Sequence, residues 1–230
     1  MFDHPQTRRL DSAWFRYVSY PQLLRRYRAD VFHILDHGYA QLIRDLNPQR
    51  TVVTCHDLIP LLAAEGVIPI RVPATVARTF RMRLGYLARA RRVIIGSHAT
   101  RVTLERYTRV PGDRIVVVPY GVGELFRPVR GARAPRRQSA GIRDDAHVIL
   151  QVATAARFKN TPVLLRALAL LRRRLPDVLL VRIGAPLFPD EAKLASHLSV
   201  SALIRYVGTV DDRVLVEWYN AADVLVFPSV

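Results

Sequence analysis

Short β-branched apolar runs alternate along the chain with longer stretches of helical periodicity. The strand-like runs are DVFHIL (30–35), RTVVTC (50–55), RRVIIG (91–96), RIVVVP (114–119), HVILQVA (147–153), VLLVRIG (178–184), IRYVG (204–208) and DVLVFP (223–228). Most are continuously apolar rather than alternating. A strand buried on both faces requires that pattern, so the runs predict parallel sheets covered by helices. Between them the periodicity predicts helices: PQLLRRYRA before the first run, ATVARTFRMRLGYLARA over 74–90, and SHATRVTLERYT with Ser97 as N-cap. A further helix, NTPVLLRALALLRRRL, has Asn160 or Thr161 as cap and Pro162 in its first turn, where a missing N–H costs nothing. The β-α-β-α order predicts an α/β fold with two Rossmann-like parallel-sheet domains.

The alternation breaks once. RPVRGARAPRRQSAGIRDDA (127–146) holds arginine clusters, two prolines, two glycines and almost no large apolar residue, and it reads as a linker. It separates an N-terminal domain over 1–126 from a C-terminal domain over 147–230. Both are expected to be incomplete. The first has four strand runs and no Gly-rich β-α turn at its start, and the second stops at FPSV directly after a strand.

Composition narrows the class. The 230 residues are 50% hydrophobic and 23% charged, with 11 Gly and 15 Pro, which excludes disorder and collagen-like structure. The single cysteine, Cys55, has no internal disulfide partner and suits a reducing, cytoplasmic compartment. The opening MFDHPQTRRLDSAWFR lacks the apolar core of a signal peptide. The longest apolar runs, such as LIPLLAA at 58–64, fall far short of the ~20 residues that span a bilayer. The formal charge of +16 is almost all arginine, since Lys159 and Lys193 are the only lysines. Such a field attracts anions, though arginine-rich coding bias accounts for the same surplus. Eight arginines and no acidic residue lie between Glu65 and Glu105. In the 74–90 helix, Val76, Phe80, Leu84 and Leu87 fall on one apolar face bordered by arginine. That face predicts core packing, or a peripheral contact with an anionic membrane.

Ligands of open parallel sheets bind beyond the carboxyl ends of the strands. Polar residues stand there: Asp36-His37-Gly38, His56-Asp57, Ser97-His98, Tyr120-Gly121-Val122, and Thr154 through Asn160. Arg157 and Lys159 directly precede a helix whose free N–H groups already favour an anion, so the turn reads either as a phosphate site or as a solvated loop. His56 is a donor or acceptor for a sugar hydroxyl or a packed strand-end residue, and Asp57 caps the following turn. No metal-ligand spacing, Walker motif or nucleophile elbow is present.

The blocks TVVTCHDLIPLL, RRVIIGSHATRVTLERY, GDRIVVVPYGVGELFRP, VILQVATAARFKNTPVLLRALALL and YVGTVDDRVLVEWYNAADVLVFPS, taken in order, resemble glycosyltransferase family 4. The resemblance implies the GT-B arrangement of two Rossmann-like domains, acceptor on the first and nucleotide-sugar donor on the second. It further implies hexose transfer with retained anomeric configuration to a glycan or lipid-linked acceptor, with no metal or other cofactor. His56 matches the family histidine that faces the donor sugar, and Lys159 the lysine that binds the donor diphosphate. Arg157 is the nearest companion arginine, with Phe158 where many relatives have Arg or Tyr. Gly121 and Val122 match the Gly-Val pair at the domain junction, with Tyr120 where relatives often have Asn. Gly184 and Gly208 match glycines of the nucleotide side, Ala153 replaces a usual glycine, and Ser97 is placed among the residues lining the cleft. The family's glutamate pair and its first Gly-rich turn are missing, so the chain is expected to be truncated at both ends and impaired. The competing readings are a non-catalytic subunit of a glycosyltransferase pair and, on charge alone, nucleic-acid binding. Against the latter, there is no recognised module and no aromatic stacking platform.

Overall fold

The computed structural model describes residues 14–68 and 70–230, so the reading of the first thirteen residues lies outside it. Two compact units divide at Gly121 and Val122. In the first, β1 (Phe32–Ile34), β2 (Thr51–Cys55), β3 (Arg92–Ile95) and β4 (Ile115–Val117) form a sheet in that order, every neighbouring pair parallel. Its helices are α1 (Tyr20–Leu24), α2 (Ile59–Ala64), α3 (Ala74–Leu87) and α4 (His98–Tyr107). In the second unit β5 (His147–Ala153), β6 (Val178–Gly184), β7 (Ile204–Gly208) and β8 (Val224–Leu225) form a parallel sheet in the order β7-β6-β5-β8. All eight strand runs are strands, and the α/β class stands.

The two sheets differ in how they are covered. In the second unit Val148, Leu150, Val181 and Ile183 pack on one face against Trp218 and Ala221 of α8 (Asp212–Ala221). On the other face, Ile149, Val178 and Leu180 meet Leu164, Leu165 and Leu168 of α6 (Thr161–Leu171) and Ala195 of α7 (Pro189–His197). In the first unit one cluster dominates, with Val53, Cys55, Val93 and Ile95 fully buried while Val52, Thr54 and Ile94 are only half-buried. The continuously apolar pattern therefore overstates burial there. The α3 helix contributes Ala77, Phe80, Leu84 and Leu87 to the core, whereas Val76, expected on that face, is 48% exposed.

The stretch read as a linker is folded. Arg133–Ser139 forms α5, with Pro135 tolerated in its first turn, and Ile142 and Ala146 join the second unit's core. Its polar composition hid a buried arginine: Arg137 donates to the carbonyls of Ala221, Asp144 and Ala146 at 2.8, 2.8 and 2.7 Å. A buried arginine held by three carbonyls in this way stands in for the apolar residue that periodicity looks for.

No helix among the described residues is long and apolar enough to cross a membrane.

Candidate functional site

In the first unit the carboxyl ends of four strands converge. His56 directly follows β2, and its Nε2 lies 2.9 Å from the carbonyl of Leu35, which directly follows β1. Its Nδ1 lies 2.7 Å from the hydroxyl of Tyr120, just beyond β4. A carbonyl only accepts, so Nε2 carries a proton toward Leu35, while Nδ1 shares a hydrogen bond with the Tyr120 hydroxyl. The two rings lie 6.0 Å apart at 27°. Gly96, directly after β3, provides the floor: a Cβ there would sit 2.3 Å from Cε2 of Tyr120. Both nitrogens of His56 are thus engaged within its own unit, a constraint its sequence position does not reveal.

The neighbouring polar residues have local duties. The Asp57 carboxylate accepts from the backbone N–H of Ile59 at 3.1 Å, the turn-capping role foreseen for it. Ser97 caps α4 by accepting from the N–H of Thr100 at 3.1 Å. Buried beside Phe80, His37 is pushed below the ordinary histidine range by desolvation, with Asp36 and Asp57 pulling the other way. Cys55 is fully buried, and its thiol is pushed up to about 12 by burial and by Asp57 and Asp36, which makes it inert at neutral pH.

In the second unit the ends of β5, β6 and β7 border a cleft of about 440 Å³ lined by Ala153, Thr154, Lys159, Gly184, Ala185 and Thr209. Lys159 stands in a single turn, Arg157–Lys159, that leads into α6 through Asn160, held left-handed at φ 51°. The Asn160 side chain makes no capping bond, and Pro162 has no N–H to satisfy. The ammonium of Lys159 lies 4.9 Å from the Phe158 ring centroid and 5.8 Å from that of Phe227. Among the described residues no carboxylate pairs with it.

Arg157 has a different fate from the one expected of it beside Lys159. Its guanidinium donates to the Asp190 carboxylate at 2.6 Å and covers the Phe188 ring at 4.0 Å, and this hydrogen bond holds the Asp190 carboxyl below its ordinary value. Lys159 is therefore left as the cation that faces the cleft.

Gly184 and Gly208 close their strands at φ 101° and 86°. At Gly184 a Cβ would sit 2.4 Å from the Ala153 carbonyl, and that carbonyl accepts from the N–H of Ala185 at 2.9 Å. The ends of β5 and β6 thus approach closely even though Ala153 stands where a glycine was expected. Gly121 and Val122 are exposed at the division between the units, with open space around Gly121.

Sequence reading missed Arg182, which lies fully buried in β6 and donates from Nε to the Ala185 carbonyl at 2.8 Å. Its Nη1 reaches the side chains of Gln151 and Thr161, the latter at 3.4 Å. Burial pushes its guanidinium below the ordinary arginine value, with Glu191 and Tyr206 opposing. It ties the loop after β6, whose Ala185 lines the cleft, to the first residue of α6. The signal was there in VLLVRIG: one arginine inside an otherwise apolar strand.

Residues 2–123 match the family described as Glycosyltransferase Family 4, and residues 133–230 match Glycosyl transferases group 1. A D-inositol 3-phosphate glycosyltransferase of Thermomonospora curvata is 35% identical over 144 residues, covering 56% of this chain and 33% of the relative. The serotype-specific mannosyltransferase WbdA of Escherichia coli is 30% identical over 192 residues, covering 79% of this chain and 23% of the relative. Among solved structures, Anabaena Alr3699/HepE in complex with UDP-glucose superposes with a TM-score of 0.69 at 18% identity, over 92% of this chain and 56% of that one. Sucrose-phosphate synthase of Thermosynechococcus elongatus gives 0.69 at 21% identity, over 91% and 53%. The chain thus spans about 33% of the first curated relative and about half of these structures. With a family match over more than half its length and the parallel α/β units of GT-B enzymes, the chain belongs to glycosyltransferase family 4.

Proposed function

We propose that this chain serves a retaining glycosyltransferase that moves a hexose from a nucleotide-sugar to a glycan or lipid-linked acceptor. The observation that carries the reading is Lys159, facing the cleft at the entry to α6 with no carboxylate partner among the described residues. When the glycosidic bond to the donor breaks, negative charge gathers on the departing nucleoside diphosphate. A fixed ammonium and the positive end of a helix stabilise that charge as it develops. Arg182 supports the arrangement by joining the β6 loop to Thr161. In this reading the nucleotide-sugar is a substrate and no cofactor takes part. The similarity to D-inositol 3-phosphate glycosyltransferases and to a neighbour that binds UDP-glucose supports the class of donor.

We place the work at the cytoplasmic face of a membrane. On α3 the exposed Met82 shares its outer face with the exposed Arg78, and the exposed Arg89 follows just past the helix end, a basic apolar patch suited to an anionic lipid surface.

Calorimetric titration of the chain with UDP, UDP-glucose and GDP-mannose tests the donor reading. Saturable binding of at least one sugar nucleotide is expected. A folded chain that binds none of the three overturns it.

A further inference from the structure

We infer that Arg182 is a positioning residue for the cleft of the second unit: it holds the loop after β6 and the entry to α6 in one fixed relation before any ligand arrives. This rests on the donor reading above and adds how the cleft is kept in shape.

An arginine is a costly choice for the middle of an apolar strand. Burial works against its charge, and a methionine fills similar space with no charge to satisfy. The guanidinium supplies reach in several directions instead. Nε donates at 2.8 Å to the carbonyl of Ala185, a residue of the cleft wall. Nη1 reaches the hydroxyl of Thr161, the first residue of α6 and two positions beyond Lys159. It also donates to the amide oxygen of Gln151, the cross-strand partner of Arg182 in β5. Gln151, Thr161 and Arg182 are each 2% exposed or less, so water does not compete for these bonds.

The loop from Gly184 to Phe188 is held along its course. The Gly184 carbonyl accepts from the Tyr206 hydroxyl at 2.9 Å, and the Ala185 N–H donates to the Ala153 carbonyl at 2.9 Å. The buried Glu191 carboxylate accepts from the N–H of Phe188 at 3.0 Å. Two contacts join this stretch to the side of the cleft that carries Lys159. One is Arg157 on Phe188 and Asp190, an exposed pair of small worth. The other is Arg182, and it is buried. A ligand therefore meets an ordered wall, whereas without Arg182 it must order that wall as it binds and loses affinity accordingly.

The test uses the full chain and the sugar nucleotide that binds in the titration above, with calorimetry run well below the unfolding temperature of every variant. Arg182→Met is expected to lower affinity roughly tenfold and to speed amide hydrogen exchange at Ala185. Arg137→Met is the matched control. Arg137 is also a fully buried arginine of the second unit, but it donates to the carbonyls of Ala221, Asp144 and Ala146, none of which lines the cleft. That variant is expected to lose stability and to bind as the wild type does. Equal weakening by the two variants reduces Arg182 to general stability and overturns the proposal, as does unchanged affinity in Arg182→Met. Arg182→Lys covers the case in which Arg182→Met does not fold. It keeps the charge on a single nitrogen that does not span Ala185 and Thr161 together, so binding is expected to fall severalfold. Wild-type affinity in Arg182→Lys assigns the effect to charge and overturns the positioning role. A wild-type chain that binds no sugar nucleotide overturns the donor reading and this assignment with it, whereas a wild type that binds as well as Arg182→Met overturns this assignment alone.

Discussion

Arg137 and Asp223 meet at 2.8 Å, one fully buried in α5 and the other in the turn between α8 and β8. The same Asp223 oxygen accepts from the N–H of Val148 at 2.7 Å, and its partner oxygen takes Arg133 at 2.6 Å. Burial raises the Asp223 carboxyl, but Val148, Arg133 and Arg137 together pull it below its ordinary value. Arg137→Met leaves three carbonyls without this donor and takes one of three donors from the Asp223 carboxylate, so a loss of about 3 kcal/mol is expected from urea unfolding. A loss under about 1 kcal/mol contradicts the role assigned to the pair.

How the chain folds was legible wherever burial is apolar. Every strand run is a strand, and Ser97 caps its helix as its spacing suggested. What escaped was burial by hydrogen bonding. Arg137 and Arg182 satisfy their guanidinium groups on carbonyls and side chains brought together only by tertiary structure. Pattern reading counts Arg137 as a surface residue, which turned a helix into a linker, and it leaves Arg182 unremarked inside a strand. At the site, Lys159 lies on the cleft its position implied, while Arg157 turns to Asp190, 33 residues further on, for which no local signal exists.

Gly184 is fixed twice over, by its φ of 101° and by the Ala153 carbonyl 2.4 Å from any Cβ. Gly184→Ala should cost about 2 kcal/mol or more in thermal or urea unfolding, because backbone strain and a backbone clash coincide. Gly208, at φ 86° with nothing within 4 Å, has only the first penalty. Its alanine variant should be the milder of the two by roughly 1 kcal/mol, and the reverse order argues against close approach at the end of β5.

Acid should weaken the first unit through His37. Its native pKa lies below 6.5 because burial disfavours the imidazolium, whereas the unfolded chain takes up the proton near the ordinary value. Below about pH 6.5 the unfolded state therefore binds more protons, and stability falls as pH drops toward the native value. Urea midpoints measured at roughly pH 7 and pH 5.5 should differ more for the wild type than for His37→Gln, which has no proton to gain. Equal differences in the two proteins mean that His37 is not the group responsible.

The α3 face has a direct vesicle test. Arg81 already pairs with Glu65, so Arg78 and Arg89 are the cations to reverse. Each basic residue near an anionic surface contributes about 1 kcal/mol, so Arg78→Glu with Arg89→Glu should lower binding to phosphatidylserine-containing vesicles at least tenfold. Neutral phosphatidylcholine vesicles should bind both proteins weakly and alike. Unchanged binding to the anionic vesicles removes α3 as a membrane contact.

Lys159 and Arg157 stand two residues apart and should respond differently to loss of charge. Lys159→Met removes the cleft's cation, and a charge-assisted contact to phosphate is worth about 1.5–3 kcal/mol, or roughly 10- to 100-fold in affinity for a nucleoside diphosphate. Arg157→Gln breaks an exposed pair with Asp190, so its effect should stay within about threefold. Calorimetry with UDP and GDP separates the two. If Arg157→Gln costs as much as Lys159→Met, Asp190 yields the guanidinium to phosphate on binding, and the two-cation site that their sequence positions suggest forms only with ligand.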